Sequence, residues 1–368
     1  MQKVLRGRGS VGRVRELMEK LGITRPLVVG RSMVKYLPEG VAEDVYGGYH
    51  PNPDWADCEG GRALYVEKGC DGIISIGGGS AMDTAKGVKA LLLAEDADKA
   101  LRNEFDGEGI PHIAIPATAG TGSEATPYAV VYVNNRKISV THTCLIPEGV
   151  VLDSALLDTL PEYHKKACAL DALSQGIESY WAKTADDDSR VQAYLAIIGL
   201  LDNIRGYLAG DPNAATAMLE SAYRSGKAIA VTRTTAPHAM SYMLTKTLGI
   251  AHGHACALTL PWLWEHMCND EAVLPTMMEL ASCMRLGSEL VGPKFLYGML
   301  IDLGMEAPDK PSDEVFEKLV DSVNLERLGN HPVPLTREDL ERIYRRAFVK
   351  PVGPARQACI DIWKYYGK

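Results

Sequence analysis

No apolar run in the 368-residue chain approaches the ~20 residues that a membrane-spanning helix requires. Basic excess is missing too: 39 Lys+Arg face 47 Asp+Glu, a net charge of −8. That balance argues against general nucleic-acid binding and against adhesion to anionic membranes. The eight cysteines (58, 70, 144, 168, 256, 268, 283, 359) form no CxxC pair. They read as buried thiols in a reducing compartment, neither a disulfide framework nor a zinc ribbon, so the cytoplasm is expected. The basic N-terminus lacks the apolar core of a secretory signal. No P-loop lysine pattern occurs, which disfavours an ATPase. The chain does have 46% apolar residues, ordinary for a globular protein, and length for two or three domains.

The first half alternates β-branched runs with helical stretches. PLVVG (26–30), GIISI (72–76), HIAIP (112–116), AVVYV (129–133) and GVVLD (149–153) read as buried strands. Segments 10–21 and 80–93, and the stretch after Asp54, carry helical spacing. Such alternation predicts a parallel sheet wrapped by helices, an α/β nucleotide-binding domain over residues 1–160. After Pro161 the strands stop. Segments 164–183, 188–208, 213–232 and 270–285 are apolar at i, i+3, i+4, i+7, which predicts an all-helical domain over 161–368.

The segment IISIGGGSAMDTAK (73–86) is a strand, three glycines, a serine and a helix. Glycines let the backbone approach a ligand, and the helix start offers unpaired N–H groups and a positive dipole end. Gly77, Gly78, Gly79 and Ser80 are therefore the expected pyrophosphate cradle. A second cluster, AGTGSEA (119–125), fits G-x-G-x-x-A formally, but a strand follows where a dinucleotide fingerprint needs a helix. It reads as a polar loop at a strand's carboxyl end, where Thr118, Thr121 and Ser123 reach towards ribose or nicotinamide.

Among nine histidines, those in 236–260 stand out. His238 opens an apolar helix with Tyr242 one turn on; Gly249 ends it, and His252-Gly253-His254 follows. Histidines flanking a helix turn can converge. Asp171, with Gln175 at i+4, sits among Leu170, Ala172, Leu173 and Ile177. It is either a helix-face acid or an acid buried because it is paired or metal-bound. One carboxylate and two imidazoles make an open divalent site suited to zinc or ferrous iron.

These motifs, in this order and spacing, resemble the iron-containing (group III) alcohol dehydrogenase family, and the likeness covers nearly the whole chain, Asn52-Pro53 and Asn330–Pro334 included. The resemblance implies a Rossmann-like dinucleotide-binding domain followed by a helical metal-binding domain, the dehydroquinate synthase-like fold. It implies NAD(H), one divalent zinc or iron, and Asp171, His238 and His252 as ligands. It places Gly78, Gly79, Ser80 and Asp83 in the cofactor loop, with Thr118, Thr121, Thr126 and Lys137 facing the dinucleotide. Two positions depart from the family. Gln175 stands where most members have a fourth ligand histidine, so the amide or water completes the coordination. Tyr242 replaces a histidine near the substrate and is assigned to shaping the pocket.

The string around Tyr242 and His254 is similar to the branch that reduces two-carbon aldehydes bearing a strong anion. Sulfoacetaldehyde, reduced to isethionate in taurine degradation, is the first expectation; phosphonoacetaldehyde or an uncharged aldehyde are the alternatives. Arg233 and His254 are the local candidates for holding the anion. Their plain alternatives are a solvated surface charge and a core histidine. Arg31, after the first long strand, would tolerate a 2′-phosphate, so NADPH stays open while the resemblance favours NADH. The expected chemistry is Lewis-acid hydride transfer from nicotinamide to the carbonyl carbon. A homodimer is expected, with no nucleic-acid or membrane partner. Two rival readings are a cyclising lyase of the dehydroquinate synthase type, disfavoured by the few basic residues near the histidines, and an NAD-responsive binding protein without catalysis.

Overall fold

The computed structural model describes residues 2–366 except 106, 108, 135 and 324–327. The chain divides into two compact units: Met1–Leu160 with Ala209–Gly226, and Pro161–Leu208 with Lys227–Lys368.

In the first unit, strands β1 (Lys3–Arg6), β2 (Pro26–Gly30), β3 (Asp44–Tyr46), β4 (Gly72–Gly77), β5 (His112–Pro116) and β8 (Gly149–Leu152) form one parallel sheet. Its order is β1-β8-β5-β4-β2-β3. The central strands are buried on both faces, which is why they read as continuous apolar runs. Alternation still divides them. Leu27, Val29 and Ile73 pack with Ala81, Ala85 and Val88 of α3 (Gly79–Leu93). Val28, Ile74 and Ile113 pack on the other face with Val14 and Leu17 of α1 (Val14–Leu21). Helix α2 (Trp55–Lys68) starts at a capping box formed by Asp54 and Asp57.

Two features depart from the sequence expectation. The AVVYV run lies outside the parallel sheet: β6 (Tyr128–Val133) pairs antiparallel with β7 (Arg136–Thr141). Asn134, at φ 50°, sits in the tight turn between them, a conformation that suits asparagine. The second departure is the return of 209–226 to the first unit. Gly226 makes it possible, since a Cβ there would lie 2.3 Å from the carbonyl oxygen of Gly122. Tyr223 donates a hydrogen bond to Gln2 (2.9 Å), and the Ser154 and Thr216 hydroxyls pair at 2.7 Å.

The second unit is helical among the described residues: α5 (Glu162–Trp181), α6 (Asp187–Leu208), the end of α7 (Pro212–Thr232), α8 (Ala236–Leu248), α9 (His252–Met267), α10 (Leu274–Cys283), α11 (Gly292–Leu303), α12 (Asp313–Asp321), and helices Arg337–Ala347 and Gly353–Tyr365. Helix α10 is shorter than the 270–285 periodicity suggests, because the Asp270 carboxylate accepts the Ala272 N–H at 2.9 Å and holds a turn there. Helix α5 follows Pro161 and is buried on every side from Ala169 to Trp181. Gly253 lets α9 run against it: a Cβ at Gly253 would lie 2.1 Å from the Ala167 carbonyl and 2.5 Å from the Asp171 Cβ.

Candidate functional site

Three helices of the second unit bring Asp171 (α5), His238 (first turn of α8) and His252 (first residue of α9) together. Cys256, one turn along α9, joins them, and one ligand atom from each of the four lies within 4.8 Å of every other. Asp171 Oδ1 is 3.3 Å from His238 Nε2, and Cys256 Sγ is 3.8 Å from His252 Nε2. Asp171, His238 and Cys256 are buried.

The outer ring nitrogens are committed elsewhere. His238 Nδ1 donates to Glu178 Oε1 at 2.5 Å, and His252 Nδ1 donates to the Ser241 hydroxyl at 3.2 Å. In its neutral form with the proton on Nδ1, each ring would turn an Nε2 lone pair to the shared centre. Glu178 is itself fixed, accepting from the Thr235 backbone N–H (2.6 Å) and hydroxyl (3.1 Å) at the start of α8. Trp181 donates to that same hydroxyl. Asn330 ties down the preceding turn by donating to the Thr232 carbonyl at 2.7 Å. Two oriented imidazoles, a carboxylate and a thiol are a donor set that fits a divalent metal, with outer partners already in place. Burial raises a thiol pKa, but His238 and His252 draw that of Cys256 down to about 7. Burial would likewise lower His238; the facing Cys256, Glu178 and Asp171 hold it well above the ordinary range.

Sequence reasoning missed Glu178 and Cys256, although each carries a signal. Glu178 follows Asp171 at i+7 and Gln175 at i+3 on α5, and Cys256 follows His252 at i+4, so each shares a helix face with a flagged residue. Gln175 is buried on α5 one turn from Asp171. The Tyr242 ring stacks on His252, 5.9 Å between centroids and 3° from parallel.

The two anion candidates fare differently. His254 is buried, its Nε2 donates to the Met305 carbonyl at 2.9 Å, and its Nδ1 accepts from the Tyr163 hydroxyl at 3.2 Å. Burial also lowers its pKa. Both ring nitrogens are thus engaged within the protein. Arg233 is exposed, at φ 60°, in the turn between α7 and α8.

In the first unit, Gly77↔Pro116 is the last pair of the β4–β5 register, so the glycine turn and the 117–126 loop leave the sheet side by side. Helix α3 begins after Gly78 with no side chain among the described residues capping its first turn, which leaves N–H groups for an anion. A Cβ on Gly77 would lie 2.9 Å from that of Ala81; on Gly78, 3.4 Å from Thr118 Cγ2; on Gly79, 3.0 Å from Thr121 Cγ2. Ser80 Oγ accepts the Asn52 N–H at 3.2 Å. Asp83 accepts from the Ser123 hydroxyl at 3.1 Å. Burial raises its pKa to about 6, against the pull of Lys86, Ser123 and Lys137 of β7.

Thr126 is buried, and its hydroxyl accepts from Lys86 (3.1 Å) and donates to the Ser123 carbonyl (3.3 Å). Lys86, which the sequence reading passed over, is fully buried on α3. Its ammonium donates to the carbonyls of Ser123 (2.6 Å), Thr126 (2.8 Å) and Tyr128 (2.8 Å), and burial lowers its pKa to about 8. It pins the polar loop beside the glycine turn. Arg31, beyond β2, stacks its guanidinium on the Tyr49 ring at 4.5 Å.

Comparison with known proteins places this arrangement. Residues 1–154 match the family model for iron-containing alcohol dehydrogenase, and residues 166–348 match that for the C-terminal part of the Fe-containing alcohol dehydrogenase family. A phosphonoacetaldehyde reductase of Streptomyces viridochromogenes is 37% identical over 52% of this chain and 51% of its own. The chain thus matches about half the length of that relative. A lactaldehyde reductase of Escherichia coli is 30% identical over 93% of this chain and 97% of its own. Among solved structures, the sulfoacetaldehyde reductase of Bifidobacterium kashiwanohense in complex with NAD+ superposes with a TM-score of 0.86 at 24% identity, covering 95% of this chain and 98% of that one. Matched across both units, the chain belongs to the iron-containing alcohol dehydrogenase family.

Proposed function

We propose that the protein is a metal-dependent reductase that transfers hydride from NAD(H) to a small anionic aldehyde, sulfoacetaldehyde first. The observation that carries the reading is the convergence of Asp171, His238 and His252 with both Nε2 atoms turned inward. A divalent metal held there supplies Lewis-acid polarisation of a carbonyl, and the nicotinamide cofactor supplies the hydride. The chain's own part is positional. Asp171, His238 and His252 hold the ion, Glu178 and Ser241 fix the imidazole tautomers, and the Tyr242 ring forms a wall against His252. The uncapped start of α3 at Gly77–Ser80 receives the pyrophosphate, with Thr118 and Thr121 beside it. Arg233, exposed beside the start of α8, is preferred as the group that holds the substrate's anion over His254, whose ring nitrogens are both engaged within the protein.

Phosphonoacetaldehyde is the second reading, favoured by the 37% identity to a reductase of that substrate. The test is NADH oxidation by metal-loaded protein with sulfoacetaldehyde, phosphonoacetaldehyde and propionaldehyde in parallel. We expect kcat/KM for one of the anions to exceed that for propionaldehyde by ~100-fold, about 2.7 kcal/mol of discrimination. Equal rates on all three would leave a generic aldehyde reductase and end the anion assignment.

A further inference from the structure

Cys256 is a fully buried thiol in the second turn of α9, yet its sulfur meets no purely apolar surroundings. It shares a space within 4.8 Å with Asp171, His238 and His252, donors from three separate helices. The spacings have the size of a coordination polyhedron. Tetrahedral bonds of about 2.0 Å to nitrogen and oxygen and about 2.3 Å to sulfur put N and O ligand atoms about 3.3 Å apart, and N and S about 3.6 Å apart. The two measured edges are 3.3 Å (Asp171 to His238) and 3.8 Å (Cys256 to His252). His252 and Cys256, at i and i+4 on one helix face, form a two-donor clip.

We propose that the Cys256 thiolate is the fourth protein ligand of the metal, alongside Asp171, His238 and His252. This rests on the reading that the cluster holds the enzyme's metal. It changes the character of that site, since a soft sulfur ligand and the ordinary order of divalent affinities both bias it towards zinc over ferrous iron. Binding releases the thiol proton to solvent as the sulfur–metal bond forms, with no change of oxidation state.

The test uses the full-length chain freed of metal and titrated with cobalt(II), followed by absorption spectroscopy and metal counting. The wild type is expected to take up one cobalt with a thiolate-to-cobalt charge-transfer band in the near ultraviolet. Cys256→Ser should lose that band and bind cobalt more weakly by more than the ~10–100-fold that loss of an outer-shell partner costs. Gln175→Ala should keep the band. X-ray absorption of the wild-type zinc form should show one sulfur at about 2.3 Å, a readout that stands even where Cys256→Ser fails to fold. Stoichiometric cobalt without the band, a band that survives in Cys256→Ser, or a zinc shell without sulfur would overturn Cys256 as ligand and leave the metal site standing. A wild type that takes up no cobalt or zinc at all would overturn the metal reading itself, and this inference with it.

Discussion

The glycine turn of the first unit presents backbone N–H groups and space where side chains are missing, whereas the helical unit presents side chains buried and oriented in advance. At Gly77–Gly79 the threat is any added Cβ, with neighbours standing at 2.9–3.4 Å. Around Asp171, His238 and His252 the threat is loss of a donor atom or of the partner that aims it. A backbone site depends on what is left out, and a side-chain site on every atom that is present. Variants can therefore break the two sites in different ways.

The largest effect belongs to the helical unit. Asp171→Ala should remove metal binding and lower kcat/KM by at least ~1000-fold, about 4 kcal/mol, while dinucleotide binding, followed by quenching or calorimetry, persists. Full activity and metal content in Asp171→Ala would end the assignment of the centre.

Acid stability separates the units next. His331 is fully buried, with no hydrogen-bond partner for either ring nitrogen among the described residues, and is set edge-on to Trp181 at 6.1 Å. Burial depresses its pKa to about 3. A depressed histidine keeps its contribution above the unfolded value of ~6.5 and loses it as pH falls towards 3. Between pH 7 and pH 4 that loss is about 3 kcal/mol. His331→Leu should flatten the acid limb of urea unfolding for the helical unit; an unchanged pH slope would show that another group drives it.

How much of this was legible in the sequence depends on whether a signal was local. The runs PLVVG, GIISI and HIAIP are buried on both faces, so composition alone marks them as strands. Strands β1 and β3, with four and three residues at the sheet's two edges, bury little and carry no such run. AVVYV is apolar for the same reason as the central strands, but its partner is set by the turn at Asn134, and apolarity does not encode pairing. At the candidate site, His238, His252 and Asp171 stand out in the sequence because polar groups in apolar helices demand partners. Glu178 and Cys256 were hidden behind their flagged neighbours. The engagement of His254 by Tyr163 and Met305, and of Thr126 by Lys86, joins residues far apart in the chain and leaves no local signal.

The glycines sharpen the comparison at smaller cost. Gly253→Ala would put a Cβ 2.1 Å from the Ala167 carbonyl, forcing α9 off α5 and His252 away from Asp171. We expect a loss of roughly 1–3 kcal/mol in stability, together with weaker metal binding. Gly226→Ala meets the Gly122 backbone at 2.3 Å and should cost similar stability while metal binding, measured on the folded fraction, holds. Should both variants lose metal equally, the division of labour between the units would be wrong. Glu178→Gln tests orientation alone: the shape is kept, but a neutral amide holds His238 Nδ1 less firmly, and metal affinity should fall by ~10–100-fold.

The smallest expected effect lies in the first unit, where a side chain stands close to the backbone-built cradle. Arg31 lies just past β2 with its Nε donating to the Gly47 carbonyl at 3.0 Å and its guanidinium on Tyr49. Tyr49 is itself close to the glycine turn, 3.9 Å from where a Cβ on Gly77 would be. An exposed cation at that strand end accepts a 2′-phosphate, and an acid there prefers the free ribose hydroxyls. Arg31→Asp should therefore lower the NADPH-to-NADH ratio of kcat/KM by about tenfold, or about 1.4 kcal/mol, with metal content unchanged. Because the proposed pyrophosphate contacts are backbone N–H groups, the variant should still use NADH. A ratio that does not move would place Arg31 beyond the adenosine's reach and leave cofactor choice to the loops around Thr118 and Thr121.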